Sequence, residues 1–195
     1  MSVGQKTGVS LVRWTAKEFY KLLDHGFFRD GHVELIEGVI FRMPAQKNFH
    51  FLSIDLTRRA LETAFGAGYW VRAQGSLDLS PYSVLDPDIA VVQGNPRDYK
   101  KDENPTNALL IVEIADTTLG YDRHRKASLY ARVGIEDYWI VNLRRRQLEV
   151  RRQPAANIHP RYGFGYASLT TLGPTDVVSP LAAPQARIAV ADLLP

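Results

Sequence analysis

Two stretches, Asp86-Pro87-Asp88-Ile89-Ala90-Val91-Val92 and Leu109-Leu110-Ile111-Val112-Glu113-Ile114, decide how this chain is read. Each holds a short, unbroken, largely β-branched run, the pattern of a strand buried on both faces. Each also places a carboxylate among apolar residues: Asp88 opens the first run and Glu113 interrupts the second. An unpaired ionised carboxylate in such surroundings is strongly disfavoured, so each must be paired, protonated or bound to a metal. Two acids at the ends of adjacent buried strands can converge on one divalent cation, relieving both desolvation and mutual repulsion. The competing reading pairs each acid with one of the chain's arginines, which explains one such acid better than two.

Around this pair the chain alternates short helices and strands. Thr15-Ala16-Lys17-Glu18 has the form of a capping box, with Phe19, Leu22 and Leu23 on one face behind it, so a helix is expected from Thr15 to Asp24. Val33 to Met43 reads as a hairpin about Glu37-Gly38. Phe49, Leu52, Leu56, Leu61 and Phe65 recur at helical spacing, which predicts the longest helix over Asn48 to Phe65. Strands are expected at Tyr69 to Gln74, Ser76 to Leu79, Tyr138 to Val141 and Gln147 to Val150, and a further helix from Asp122 to Val133. Gly94 to Asn107 is polar and turn-rich, hence a loop. After Gln153, strand-like patches remain at Tyr166 to Leu172 and Ile188 to Val190. Helices flanking a strand-rich middle make the chain α/β, with α+β as the alternative.

The helix from Asp122 supplies a third candidate. Lys126 shares a face with Leu129, Tyr130 and Val133 and leans toward the sheet, whereas Arg123, Arg125 and Arg132 lie off that stripe. A lysine beside two carboxylates and a cation suits phosphodiester hydrolysis, where it orients or deprotonates the attacking water or balances charge on the phosphorus. A snorkelling helix lysine is the plainer alternative. Glu34 alternates with Val33 and Leu35 and so reads first as an exposed strand residue, second as a third acid. His50 opens the long helix, where local capping is the simpler role and contact with a substrate phosphate the other. The remaining histidines show no ligand spacing.

Length and composition set bounds on these readings. At 195 residues, the chain is sized for one domain, 1–195, with 1–12 expected to be flexible and 153–195 a strand-rich extension of the same domain. The absence of cysteine excludes disulfides, thiolate metal sites and a cysteine nucleophile, and points to hard cations with oxygen ligands. No apolar run is long enough to span a membrane and Met1 to Ser10 holds no signal-peptide core, so a cytoplasmic protein is expected. The net charge of +3 is uneven. Asp122 to Arg152 holds nine basic and four acidic residues, 9 − 4 = +5, leaving 3 − 5 = −2 elsewhere. A local basic excess is what a polyanion-binding face presents, although charge runs are usually solvated surfaces. No serine-hydrolase elbow, phosphate-binding glycine loop or dinucleotide fingerprint is present.

Pro87-Asp88 opening one strand and Glu113 in the next resemble the PD-(D/E)XK nuclease superfamily. Within it, the chain is most similar to the Uma2 family of restriction-endonuclease-like bacterial proteins. The matching stretches are Val33-Glu34-Leu35-Ile36-Glu37-Gly38, Pro87 to Val92, Val112-Glu113-Ile114, Asp122, Lys126, Leu129 to Gly134 and Glu136 to Val141. The resemblance implies a central mixed sheet flanked by helices, Asp88 and Glu113 as ligands of Mg²⁺ or Mn²⁺, and Glu34 as a supporting acid. The superfamily's lysine usually follows the second acid by two positions; here that position is Ala115, and the resemblance implies that Lys126 replaces it from the next helix. The function so implied is metal-dependent hydrolysis of DNA, with His50, Arg123, Arg125, Arg144, Arg145 and Arg146 as candidate nucleic-acid contacts. RNA as the substrate would use the same chemistry. The alternative is an inactive nuclease-fold module that binds nucleic acid or self-assembles, as a homodimer through its aromatic-rich C-terminal part.

Overall fold

The computed structural model describes residues 8, 10–99 and 103–195. Of the segment 1–12 expected to be flexible, residues 1–7 and 9 lie outside the described residues, as do 100–102 of the Gly94 to Asn107 loop.

Helix α1 (Ala16–Asp24) starts at the capping box: the Glu18 N–H donates to Thr15 Oγ1 at 3.3 Å and the Thr15 N–H to Glu18 Oε2 at 2.9 Å. Strands β1 (Val33–Ile36) and β2 (Val39–Arg42) pair across Glu37-Gly38, whose φ values of 52° and 82° are those of a two-residue hairpin turn. Helix α2 (Asn48–Phe65) has the predicted bounds. β3 (Tyr69–Ala73), β4 (Leu77–Ser80), β5 (Ser83–Leu85), β6 (Ile89–Gln93) and β7 (Leu110–Ala115) follow. A three-part helical segment comes next: α3 (Leu119–Tyr121), a π-helical turn (Asp122–Lys126) and α4 (Ala127–Arg132). The chain continues through β8 (Asp137–Asn142), β9 (Gln147–Ala156), β10 (Phe164–Leu172), β11 (Val177–Val178) and β12 (Ile188–Ala189). β9 runs past Pro154 because pairing with β8 stops at Arg152, so the missing proline N–H breaks no bond on that side.

The main sheet is mixed, in the order β10-β9-β8-β7-β6-β3, parallel only between β7 and β8. An antiparallel sheet, β2-β1-β5-β4, lies to one side. Alternation along the strands divides the core in two. Val91, Val112, Ile114, Trp139 and Val141 pack against Ile54, Leu61 and Phe65 of α2 and against Val190 and Leu193 near the C-terminus. Ala90, Ile111, Ala115, Tyr138 and Ile140 pack on the other face against Leu129 and Tyr130 of α4 and against Ile36, Leu77 and Leu85 of the smaller sheet. The fold is thus mixed α/β, and its second face brings β6, β7, α4 and the hairpin together.

Candidate active site

Register places the two strand carboxylates side by side. Ile89 pairs with Val112, so one step further sets Asp88 opposite Glu113. Glu113 shares a face of β7 with Ile111 and Ala115 and therefore points toward α4. Both acids are buried. Asp88 Oδ2 accepts the Ile114 N–H at 2.8 Å, while Oδ1 accepts Gln46 Nε2 at 3.2 Å and lies 2.9 Å from His50 Nε2. Glu113 Oε1 accepts Lys126 Nζ at 2.9 Å and the Tyr130 hydroxyl at 2.7 Å.

Lys126 also lies 3.3 Å from Glu34 Oε1, which accepts the Asp86 N–H at 3.2 Å. The exposed position that alternation suggests for Glu34 is corrected here, since only 1% of the residue is exposed. The hairpin is covered on both sides: Val33 and Leu35 pack with Phe19 and Val84, and Ile36, on the face of Glu34, packs into the main core. Likewise His50 does not cap α2; its ring reaches Asp88.

The π turn sets the lysine. Its closing bond runs from the Ala127 N–H to the Asp122 carbonyl, which also accepts the Tyr138 hydroxyl at 3.0 Å. This wider turn, rare and often found at functional sites, buries both Asp122 and Lys126. Asp122 Oδ2 accepts the Thr118 hydroxyl at 2.7 Å.

These groups line one cleft of about 130 Å³. Its walls include Glu34, Asp86, Asp88, Glu113, Asp116 and Asp122, against only Lys47 and Lys126 of the ordinary cations. Burial, opposed by Lys126 and reinforced by the neighbouring acids, pushes the Glu113 carboxyl up to about 8. Burial likewise raises Glu34, and raises Asp122 to about 6 against the opposing charge of Lys126. For Lys126, burial disfavours the charge, but Glu113, Glu34, Asp122 and Asp88 outweigh it and hold the amine protonated. His32, hydrogen-bonded to Asp86 at 2.7 Å, is raised by that contact. Two buried oxygens in this wall, Glu34 Oε2 and the Tyr121 hydroxyl, have no hydrogen-bond partner among the described residues.

Asp88, Glu113, Lys126, Glu34 and His50 therefore meet in one place, whereas most of the candidate arginines do not. Arg123 forms a forked pair with Glu149, and Arg125 lies over the Phe41 ring at 4.6 Å and 3.7 Å from Glu37. Arg146 donates to the Pro195 carbonyl at 2.7 Å. Arg144 comes nearest, pairing at 2.9 Å with Asp116 of the cleft wall, and Arg145 is exposed beside it. Sequence reasoning missed Asp122 and the His32–Asp86 pair as members of the cleft, and Tyr130 as the buried donor to Glu113. The four-residue spacing of Asp122, Lys126 and Tyr130 was the available signal.

Among the described residues, no group of three or more His, Asp or Glu side chains is spaced to hold a metal ion. Oxygen donors from Asp88 and Glu113, facing a cleft with an excess of acid, nevertheless fit a cation of the Mg²⁺ type, which is commonly held by one or two carboxylates with water and substrate phosphate completing its shell.

No curated protein matches the chain. A solved structure described as "a putative nuclease belonging to DUF820 from Anabaena variabilis ATCC 29413" is similar in fold, with a TM-score of 0.66 at 16% identity, covering 92% of this chain and 96% of that one. The family model described as "Putative restriction endonuclease" matches residues 16–191, a span that includes every strand of the main sheet and every acid of the cleft. By that match this chain is a member of the Uma2 family.

Proposed function

We propose that the protein is a metal-dependent endonuclease that hydrolyses phosphodiester bonds of DNA. The observation that carries this reading is the meeting of Asp88, Glu113 and Glu34 around Lys126 in a cleft whose acids outnumber its cations. Such a cleft repels a phosphate unless a cation is present, so its charge and a polyanionic substrate are reconciled by a divalent ion.

Asp88 and Glu113 would hold Mg²⁺ or Mn²⁺. Bound there, the ion would supply Lewis-acid activation of the phosphoryl oxygen and a lower pKa for its water. Lys126, kept protonated by its acidic neighbours, acts as a donor: it hydrogen-bonds to a non-bridging oxygen or orients the attacking water. Glu34 positions Lys126 and offers its unpartnered Oε2 to a water. Gln46 and His50 fix Asp88, with the Ile114 N–H restraining its other oxygen. The start of α2, where Lys47 and His50 line the cleft, turns the positive end of an 18-residue helix toward a phosphate. Arg144 and Arg145 flank the site and are the arginines best placed to meet the DNA backbone; Arg123, Arg125 and Arg146 contribute long-range field.

The remaining assignments belong to the same reading. Residues 1–195 form one restriction-endonuclease-like domain of a cytoplasmic protein; no helix among the described residues is long and apolar enough to cross a membrane. Association as a homodimer would use the free edge of β10, nine residues long.

The test is cleavage of supercoiled plasmid and labelled duplex oligonucleotides with Mg²⁺, Mn²⁺ or EDTA, comparing wild type with Asp88→Ala, Glu113→Ala and Lys126→Ala, each matched by a melting curve. Cleavage that needs the metal and is lost in the folded variants supports the reading. Full activity in Glu113→Ala overturns it.

A further inference from the structure

Beside the acidic cleft lies a larger one, of about 600 Å³, that shares its wall at His32, Gln46 and Asp86. The volume is in the range of a small-molecule site. Among the residues that line it and not the acidic cleft are Phe51 and Gln74, and both are unusual. Phe51 stands in the first turn of α2, one residue after His50, with 48% of its surface exposed. Gln74 holds a left-handed backbone, φ 52°, although it is not glycine, and its N–H donates to the Asp88 carbonyl at 3.0 Å. The Gln74 amide donates to Gln46 Oε1 at 2.6 Å, and Gln46 donates in turn to Asp88 Oδ1 at 3.2 Å. The second cleft is thus wired through two amides to the acid assigned to the cation.

Charge decides what the cleft fits. Asp30 and Asp86 line it against Arg42 and His32, and both are already engaged, Arg42 with Asp30 at 3.1 Å and His32 with Asp86 at 2.7 Å. A phosphate is disfavoured there, while a neutral, flat, hydrogen-bonding group is not. An exposed aromatic ring and an amide lining one cleft are the recognition chemistry of an unstacked base: the ring takes the face and the amide takes the edge.

We propose that this second cleft takes one unpaired nucleobase of the DNA substrate, adjacent to the scissile phosphate, with Phe51 stacked on its face and Gln74 contacting its edge. The placement of the phosphate rests on the nuclease reading, whereas binding of the base does not. The preferred substrate becomes DNA with an extrahelical or single-stranded nucleotide, over fully paired duplex.

The experiment compares binding of two fluorescent duplexes, one fully paired and one with a single-nucleotide bulge, by anisotropy in Ca²⁺, alongside cleavage in Mg²⁺ or Mn²⁺. Stacking of one base on an aromatic side chain corresponds to about 5- to 150-fold in affinity. Wild type is expected to favour the bulged duplex by a factor in that range. Phe51→Ala should abolish the preference, Phe51→Trp should restore it, and Leu169→Ala, an exposed residue lining neither cleft, should leave it intact. Equal affinity of wild type for both duplexes, no binding to either, or a preference that survives in Phe51→Ala overturns the inference. A bulge preference without cleavage under any metal would leave the base site standing and remove the nuclease reading; metal-dependent cleavage with no bulge preference would do the reverse.

Discussion

Glu113 and Glu149 occupy one row of the main sheet. Each is in register with Ile140 of the strand between them, so they lie two strands, about 10 Å, apart on the same face. Both are almost fully buried, and both receive a cation from the same π turn: Lys126 reaches Glu113, and Arg123 reaches Glu149. Yet their surroundings differ. Around Glu149, burial is overcome by hydrogen bonds from Arg123 and Arg151, which hold its carboxyl below the ordinary 4.5. Around Glu113, burial prevails, because Lys126 is shared with Glu34 and two further acids, Asp88 and Asp122, press on the same site. A fully satisfied carboxylate of this kind stabilises the fold, as Asp137 also does with donors from Arg152, Trp139 and the Leu181 N–H. One left short of positive charge is suited to receive a cation from solution.

The comparison breaks first in activity. Glu113→Gln or Asp88→Asn should lower metal-dependent DNA cleavage by about 10²-fold or more, the scale of removing a group that stabilises transition-state charge. Glu149→Gln should leave the rate within a few-fold, and equal losses from both substitutions would erase the distinction.

Lys126→Met comes next. It leaves Glu34 and Glu113 buried without their cation, at a cost of about 3–5 kcal/mol above pH 8, where Glu113 is ionised, read by denaturant melts. The loss should shrink as pH falls below 8 and Glu113 takes up its proton. Glu149→Gln is milder, roughly 1–2 kcal/mol, or about 2–8 °C in Tm, because Arg123 and Arg151 keep part of their solvation.

The smallest effect is one of sign. With its carboxyl raised to about 8, Glu113 keeps a proton that the unfolded chain has lost, so its share of stability declines as pH rises from 4.5 toward 8. The lowered Glu149 contributes fully above 4.5 and loses that contribution as pH falls below it. Differences in Tm between wild type and each Gln variant, followed across pH, should therefore slope in opposite directions. Parallel slopes would mean that the two environments are alike.

Much of this was legible in the chain wherever a local signal existed. The capping box at Thr15 marks α1, the Glu37-Gly38 turn marks the first hairpin, and helical spacing from Asn48 to Phe65 marks α2. Asp88 and Glu113 stand out as acids in apolar runs, and Lys126 as a lysine on an apolar stripe. What stayed hidden depended on distant partners. Alternation gives no sign that the Glu34 side of β1 is covered by the main core, nor that Arg123 finds Glu149 26 residues on. The π turn is likewise set by tertiary contacts such as the Tyr138 hydroxyl on the Asp122 carbonyl. Hence the basic run from Asp122 to Arg152, which reads as a polyanion-binding face, is in good part internal: Arg123, Arg151 and Arg152 hold carboxylates of the sheet.

The most direct measurement is a calorimetric titration of Mn²⁺ into the wild-type protein and into Glu113→Gln, Asp88→Asn and Glu149→Gln. The site assignment predicts saturable binding in wild type and Glu149→Gln and its loss in the other two. Absence of saturable binding in wild type, or binding unchanged in Glu113→Gln and Asp88→Asn, would contradict it.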